Sequence, residues 1–296
     1  VYNQKFPDKK VVDNVAFDLR SGEILAVYGL VGSGRTEMAM GMIGAWKGNV
    51  ECEVEVKGKA VVSRNPAQAL KNGISLLPED RKREGAIARQ SVGSNISASS
   101  LPRFSKFGVI NSLLEKQNNQ GMIRSMSIKT PSMDALIETL SGGNQQKVIL
   151  SRLISADSPV LILDEATSGL DPVARDEILD LFFEFIEDGE HSVLIASHIT
   201  SDLDKVADYI TMIHNGSILF SEEKDQLLED MGILRCGEEA FAGLSGVRIV
   251  GVRRNPYGVE ALIHGRDIVK KRYPELVVDR TNIEEIMLYS VRRDRK

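Results

Sequence analysis

Residues 11–19 (VVDNVAFDL) alternate apolar and polar positions, the period of a half-buried strand. Residues 23–28 (EILAVY) follow as a compact apolar run that stops at a glycine-rich loop, and TEMAMGMIGAW (36–46) then has helical spacing. ISLL (74–77) predicts another strand, halted by Pro78. From 87 to 139 the chain turns polar and rich in Ser and Asn, with stretches such as SLLEKQNNQGMIRSM; this predicts a helical insertion interrupting the core. The core resumes with a helix over 144–155, a strand over 160–163 (VLIL), a helix over 172–187 and a strand over 193–196 (VLIA). YITMIHNGSILF (209–220) predicts a strand pair turning on Asn215-Gly216. Short strands alternating with longer helices give the fold class α/β.

After residue 222 the pattern breaks. VRIVGVRRNPYGVEALI (247–263) predicts two strands around an Asn-Pro-Tyr-Gly turn, and 281–292 predicts a closing helix. Residues 223–296 therefore form a small accessory α+β tail, or else a decorated edge of the same domain. At 296 residues, 42% hydrophobic and 27% charged, the chain holds one large domain or a domain with an appendage. A net charge of −5 offers no basic footprint for nucleic acid, and the short run Arg81-Lys82-Arg83 reads as a solvated loop. Cys52 and Cys236 match no metal-ligand spacing. No stretch approaches the roughly 20 apolar residues of a membrane span and the N-terminus has no signal-peptide pattern, so any role at a membrane is expected from its side.

Four motifs carry chemistry. Gly29-Leu30-Val31-Gly32-Ser33-Gly34-Arg35-Thr36 lies between a predicted strand and helix, where glycines let backbone N–H groups turn around a phosphate and the helix start adds its positive end. Thr36 is placed to bind Mg²⁺ through its hydroxyl, but Arg35 stands where such loops usually carry Lys. Similar turns also serve dinucleotides or packing alone. The apolar strand ending in Asp164-Glu165 supplies one carboxylate for Mg²⁺ and a second to polarise an attacking water. Leu140-Ser141-Gly142-Gly143-Asn144-Gln145-Gln146-Lys147 opens a helix with a hydroxyl and two bare glycines, a surface that suits a phosphate from outside the domain's own loop. Helix capping explains Ser141 alone, not the whole octet. Ser197-His198 follows the 193–196 strand, where an imidazole reaches a terminal phosphate.

In this order the motifs resemble those of the ABC transporter ATPases: Walker A at 29–36, LSGG at 140–143, Walker B at 160–165, a D-loop at Ser168-Gly169-Leu170-Asp171 and a switch histidine, His198. The resemblance implies a P-loop NTPase fold, with an ABC nucleotide-binding domain over 1–222, a helical subdomain over about 87–155, and the 223–296 tail outside it. It further implies ATP and Mg²⁺ as cofactors, the latter held by Thr36 and Asp164, with Glu165 as base and His198 on the γ-phosphate. Gly29, Gly32, Ser33, Gly34, Arg35 and Thr36 would hold the phosphates, and Tyr2 or Phe6 would stack on adenine. Glu79 and Asp171 join the nucleotide site, and Ser141, Gly142 and Gly143 reach it from a second nucleotide-binding domain, an identical copy or a different cassette. The remaining partners implied are transmembrane permease subunits, docked near Glu79 and the helical insertion, with the chain peripheral on the cytoplasmic face of the membrane and no nucleic acid involved.

GLVGSGRTE, PEDRKREG (78–85) and LSGGNQQKV are similar to the second, degenerate cassette of bacterial monosaccharide importers, in which Arg replaces the Walker A Lys and Glu, here Glu79, the Q-loop Gln. From about residue 156 the chain resembles single-cassette ATPases of Gram-positive export-type transporters, His198 included. A chimera joined between the LSGG helix and Walker B is the resulting expectation. The function expected is an ATPase that powers transport, sugar uptake or export. The alternatives are a nearly non-hydrolytic cassette of structural or regulatory role, and a soluble ABC ATPase of translation or DNA repair. Arg35 is forked and bulkier than Lys, so weak ATP binding and slow turnover are expected.

Overall fold

Five consecutive apolar residues with both faces buried need a partner on each edge, and β1 (Ile24–Tyr28) pairs in parallel with two later strands. The computed structural model describes residues 1–292. After β1 come the hairpin β2 (Val54–Val56) and β3 (Lys59–Val61), then β4 (Ile74–Leu77) and the two-residue strands β5 (Ser105–Lys106) and β6 (Val109–Ile110). They are followed by β7 (Val160–Asp164), β8 (Ser192–Ser197), β9 (Tyr209–His214) and β10 (Ser217–Glu223). The main sheet runs β10-β9-β1-β8-β7-β4, parallel except for the edge strand β10. Alternate residues of β1 serve two apolar clusters, Ile24, Ala26 and Tyr28 on one face and Val27 on the other. Helices cover both faces, and the site gathers at the carboxyl ends of β1, β7 and β8, as in other open parallel sheets.

The alternation over 11–19 does not make a strand. Val15, Phe17 and Leu19 pack one side of the segment against the sheet, which satisfies the period of two. The segment joins no ladder: Val11 and Val12 donate to the Val1 carbonyl, Asp13 to that of Gly216, and Asn14 turns the chain at φ 51°. The helix predicted over 36–46 covers Arg35–Met42 and ends where Gly44 adopts φ 69°. The insertion contains helices Val92–Ser97 and Ser112–Ser125, the latter capped by Asn111, and leads through Ser141 into helix Gly142–Ser155.

Beyond residue 223 the strands β11 (Gly232–Cys236), β12 (Ile249–Asn255), β13 (Gly258–Ile263) and β14 (Val277–Arg280) form an antiparallel sheet in the order β12-β13-β11-β14. β12 and β13 are the pair predicted around Asn255-Pro256-Tyr257-Gly258, while β11 and β14 were not apparent in the pattern. This region shares a core with the main sheet. Ile233, Leu262, Ile286 and Met287 belong to the cluster of Ile24 and Val193, and helix Ile283–Arg292 contacts helix Thr200–Val206. Ile286 is 1% exposed, so Ile286→Ala is expected to cost about 2–5 kcal/mol and to lower a single unfolding transition of the chain followed by circular dichroism. A separate early transition for the C-terminal sheet would contradict the shared core. Among the described residues no helix is long and apolar enough to cross a membrane.

Candidate nucleotide site

The loop after β1 closes tightly onto its neighbours. A Cβ on Gly29 would lie 2.3 Å from the Ile213 carbonyl, and Gly34 combines φ 106° with an approach to the Val11 carbonyl that leaves 2.8 Å for a Cβ. The first intrahelical bond runs from Met38 N–H to the Gly34 carbonyl at 2.9 Å, so the N–H groups of Arg35, Thr36 and Glu37 precede the helical ladder. Gly32 sits at φ 79° and Ser33 is buried, its Oγ without a partner. The loop is a cradle of backbone donors, the arrangement that fits a phosphate.

The Arg35 side chain is 7% exposed and is tied to the loop's own first residue and to the ends of β7 and β8. Nη1 donates to the carbonyls of Gly29 and, at 2.9 Å, Ser197, while Nη2 donates to Glu165 Oε1 at 2.7 Å. Burial pulls the Arg35 pKa down and the Glu165 charge opposes it. Glu165 itself takes the strained φ of 50°, with its N–H on the Ala196 carbonyl at 2.9 Å. Its carboxylate is surrounded: Ser197 Oγ donates to Oε2 at 3.2 Å, and His198 Nδ1 lies 2.9 Å from the same Oε1 that Arg35 holds.

On the other side of the loop Thr36 Oγ1 donates to Asp164 Oδ1 at 3.3 Å. Burial pushes the Asp164 carboxyl up to about 7, helped by the Glu79 charge and opposed by the Thr36 hydrogen bond. A cavity of about 590 Å³ opens here, lined by Thr36, Glu79, Arg81, Asp164 and Ser168 among others. A hydroxyl and a carboxylate oxygen side by side are the donors a hard divalent cation takes, so these residues fit Mg²⁺.

Arg35, Thr36, Asp164, Glu165, Ser197 and His198 thus converge, with Glu79 across the cavity. Ser141, Gly142 and Gly143 are not among the residues that line the cavity. Ser141 caps the helix start through the Asn144 N–H and amide, Gly142 leans on Arg81, and Gly143 leaves only 2.6 Å between a Cβ and that of Ala174. Asp171 caps helix Pro172–Ile186 by accepting from the Val173 and Ala174 N–H groups at 3.1 and 3.0 Å. Tyr2 bridges to Lys10, and its carbonyl accepts from the Trp46 indole at 2.8 Å. Phe6 is 66% exposed. Sequence reasoning passed over three contacts: Ser197 Oγ on Glu165, Gln146 Nε2 on the Ala166 carbonyl, and the Thr167 hydroxyl on buried Asp202. Only Ser197 had a signal, its place beside His198.

The ABC transporter family profile matches residues 12–168, more than half of the chain. Among curated proteins, the xylose import ATP-binding protein of Thermoanaerobacter pseudethanolicus is 40% identical over 218 residues, covering 74% of this chain and 43% of its own length. That of Brucella melitensis is 41% identical over 212 residues, covering 72% and 41%. The chain therefore spans less than half the length of these relatives. An alignment covering 74% of the chain necessarily crosses residue 156, so one family runs through the supposed junction and a two-family chimera is not supported. Of solved structures, a nucleotide-free ATP-binding cassette from an ABC transporter superposes with TM-score 0.63 at 18% identity, covering 74% of this chain and 87% of that one. A dimeric cassette in a post-hydrolysis state bound to ADP and Pi gives 0.60 at 20%, covering 72% and 90%. The fold is that of the P-loop ABC cassettes, and the chain belongs to the ABC transporter family.

Proposed function

We propose that this chain is the ATP-binding subunit of an ABC sugar importer, binding Mg-ATP and hydrolysing it slowly between two nucleotide-binding domains. The observation that carries the reading is the Thr36–Asp164 oxygen pair at the foot of the glycine loop, with Glu165, Ser197 and His198 bonded together behind it. Sugar import is supported by relatives named for xylose import. Transmembrane permease partners and a peripheral place on the cytoplasmic face complete the proposal, and the region beyond residue 222 is its accessory part.

In this mechanism the loop N–H groups of Gly32 to Thr36, with Gly29 giving the loop its close turn, bind the phosphates, and Tyr2 is the better-anchored aromatic for adenine. Thr36 and Asp164 would hold Mg²⁺, which would neutralise phosphate charge. Glu165 accepts the proton of the attacking water, and His198 orients toward the terminal phosphate. Because Glu165 Oε1 is shared by Arg35 and His198, Arg35 must loosen before the carboxylate acts as a base, and turnover is slow. Ser141 is engaged at its own helix start and Gly143 packs against Ala174 rather than on the Thr36–Asp164 pair, and in this reading Ser141, Gly142 and Gly143 serve a second cassette's nucleotide, with Asp171 at the same junction.

Ser141→Ala therefore lowers hydrolysis by roughly 10-fold or more, the worth of one charge-assisted hydrogen bond, while ATP binding to the dilute chain is unchanged. Fluorescent ATP titration alongside phosphate release checks both. Loss of binding in the dilute protein would place Ser141 in its own site and contradict the two-cassette reading.

A further inference from the structure

The cation of the glycine loop is already bonded within the protein. Nη1 and Nη2 of Arg35 are committed to Gly29, Ser197 and Glu165, and Arg35 is absent from the cavity lining that contains Thr36 and Asp164. A terminal phosphate next to the Thr36–Asp164 pair, which lines that cavity, needs a positive group beyond the metal, because phosphoryl transfer depends almost wholly on positioning and charge. The lining offers Arg81, Lys82 and Arg83.

Arg81 differs from the other two. Lys82 and Arg83 are exposed, whereas Arg81 is half-buried and its Nε is buried with no hydrogen-bond partner. Its Nη1 reaches the Ser168 carbonyl only at 3.4 Å, and among the described residues it forms no ion pair. A guanidinium has five donors, and one long bond leaves most of them unspent. The backbone beneath it is fixed. Asp80 accepts from the Lys82 and Arg83 N–H groups at 3.1 Å each, and Ala86 N–H donates to the Arg81 carbonyl at 2.6 Å, closing a wide five-residue turn of a kind common at functional sites. An under-bonded cation is thus held at a set height on the cavity wall, beside Gly142.

We infer that Arg81 binds the terminal phosphate of the nucleotide beside the Thr36–Asp164 pair, as a second cation next to an Arg35 whose guanidinium is held by Glu165. The inference rests on the ATP-binding reading above. The planar fork of Arg81 suits two phosphate oxygens at once. A diphosphate lacks the group that Arg81 holds, so the residue distinguishes ATP from ADP.

The test is calorimetric titration of Mg-ATP and of Mg-ADP into the full chain and into its Arg81→Gln, Arg81→Lys and Arg83→Gln variants. Arg81→Gln is expected to weaken ATP by roughly 10- to 100-fold and to leave ADP nearly unchanged. Arg81→Lys, which keeps the charge but not the fork, is expected to restore only part of the loss. Equal losses for ATP and ADP would overturn the inference, as would an ATP loss in Arg83→Gln as large as that in Arg81→Gln. So would intact ATP affinity with slowed turnover, which would reduce Arg81 to a prop for the Gly142 helix start. If the unsubstituted chain binds neither nucleotide, the ATP-binding reading falls and this inference with it; in every other case the two are judged separately.

Discussion

Arg35→Lys is expected to bind ATP roughly 10- to 100-fold more tightly than the natural sequence and to hydrolyse it faster. The Arg35 guanidinium reaches Gly29, Ser197 and Glu165 together because it is forked and planar. A lysine ammonium is a compact point charge and cannot span the three. Freed from that anchorage, it is available to a bound phosphate, while Glu165 keeps Ser197 and His198 as partners and gains freedom to act as base. Both affinity and rate rise for the same reason. Equilibrium titration and single-turnover hydrolysis measure the two effects, and no gain in either would mean that the Arg35–Glu165 pair does not restrain the site.

The second large effect is on stability. Arg35 and Glu165 side chains are 7% and 5% exposed, so Glu165→Ala leaves a buried cation without its countercharge. Removing one partner of a buried pair costs about 3–5 kcal/mol, whereas replacing both by apolar groups is often neutral. Glu165→Ala is thus expected to abolish hydrolysis and lower the denaturation midpoint sharply, and Arg35→Met added to it is expected to return most of the lost stability. Urea unfolding of the single and double variants reads this directly. A double variant no more stable than Glu165→Ala would show that the pair does not carry the cost.

Much of the fold is legible in local pattern. β1, β7 and β8 are continuous apolar runs because a parallel sheet buries both faces, and the β9–β10 turn is marked by Asn215 and Gly216, found at φ 48° and 78°. Residues 11–19 mislead for a physical reason: alternation reports which side of a segment packs, not whether another strand stands beside it. β11 and β14 were missed because their pairing is with distant strands, and short strands such as GILRC carry little period of their own.

The site was legible as a set of residue types and illegible as a set of directions. Thr36 and Asp164 meet as their motifs require. The orientation of Arg35 depends on Glu165 and Ser197, far along the chain, and only the folded sheet brings them to it. Arg81 reads as part of a solvated basic run until its burial and its place beside Gly142 and Ser168 are seen.

The most direct test is Mg-ATP binding and hydrolysis by the purified chain across a series of protein concentrations, with Glu165→Gln as control. The account predicts weak but saturable binding and slow hydrolysis whose specific rate rises with protein concentration and vanishes in the control. Failure to bind Mg-ATP, or hydrolysis that survives Glu165→Gln at any concentration, would contradict it.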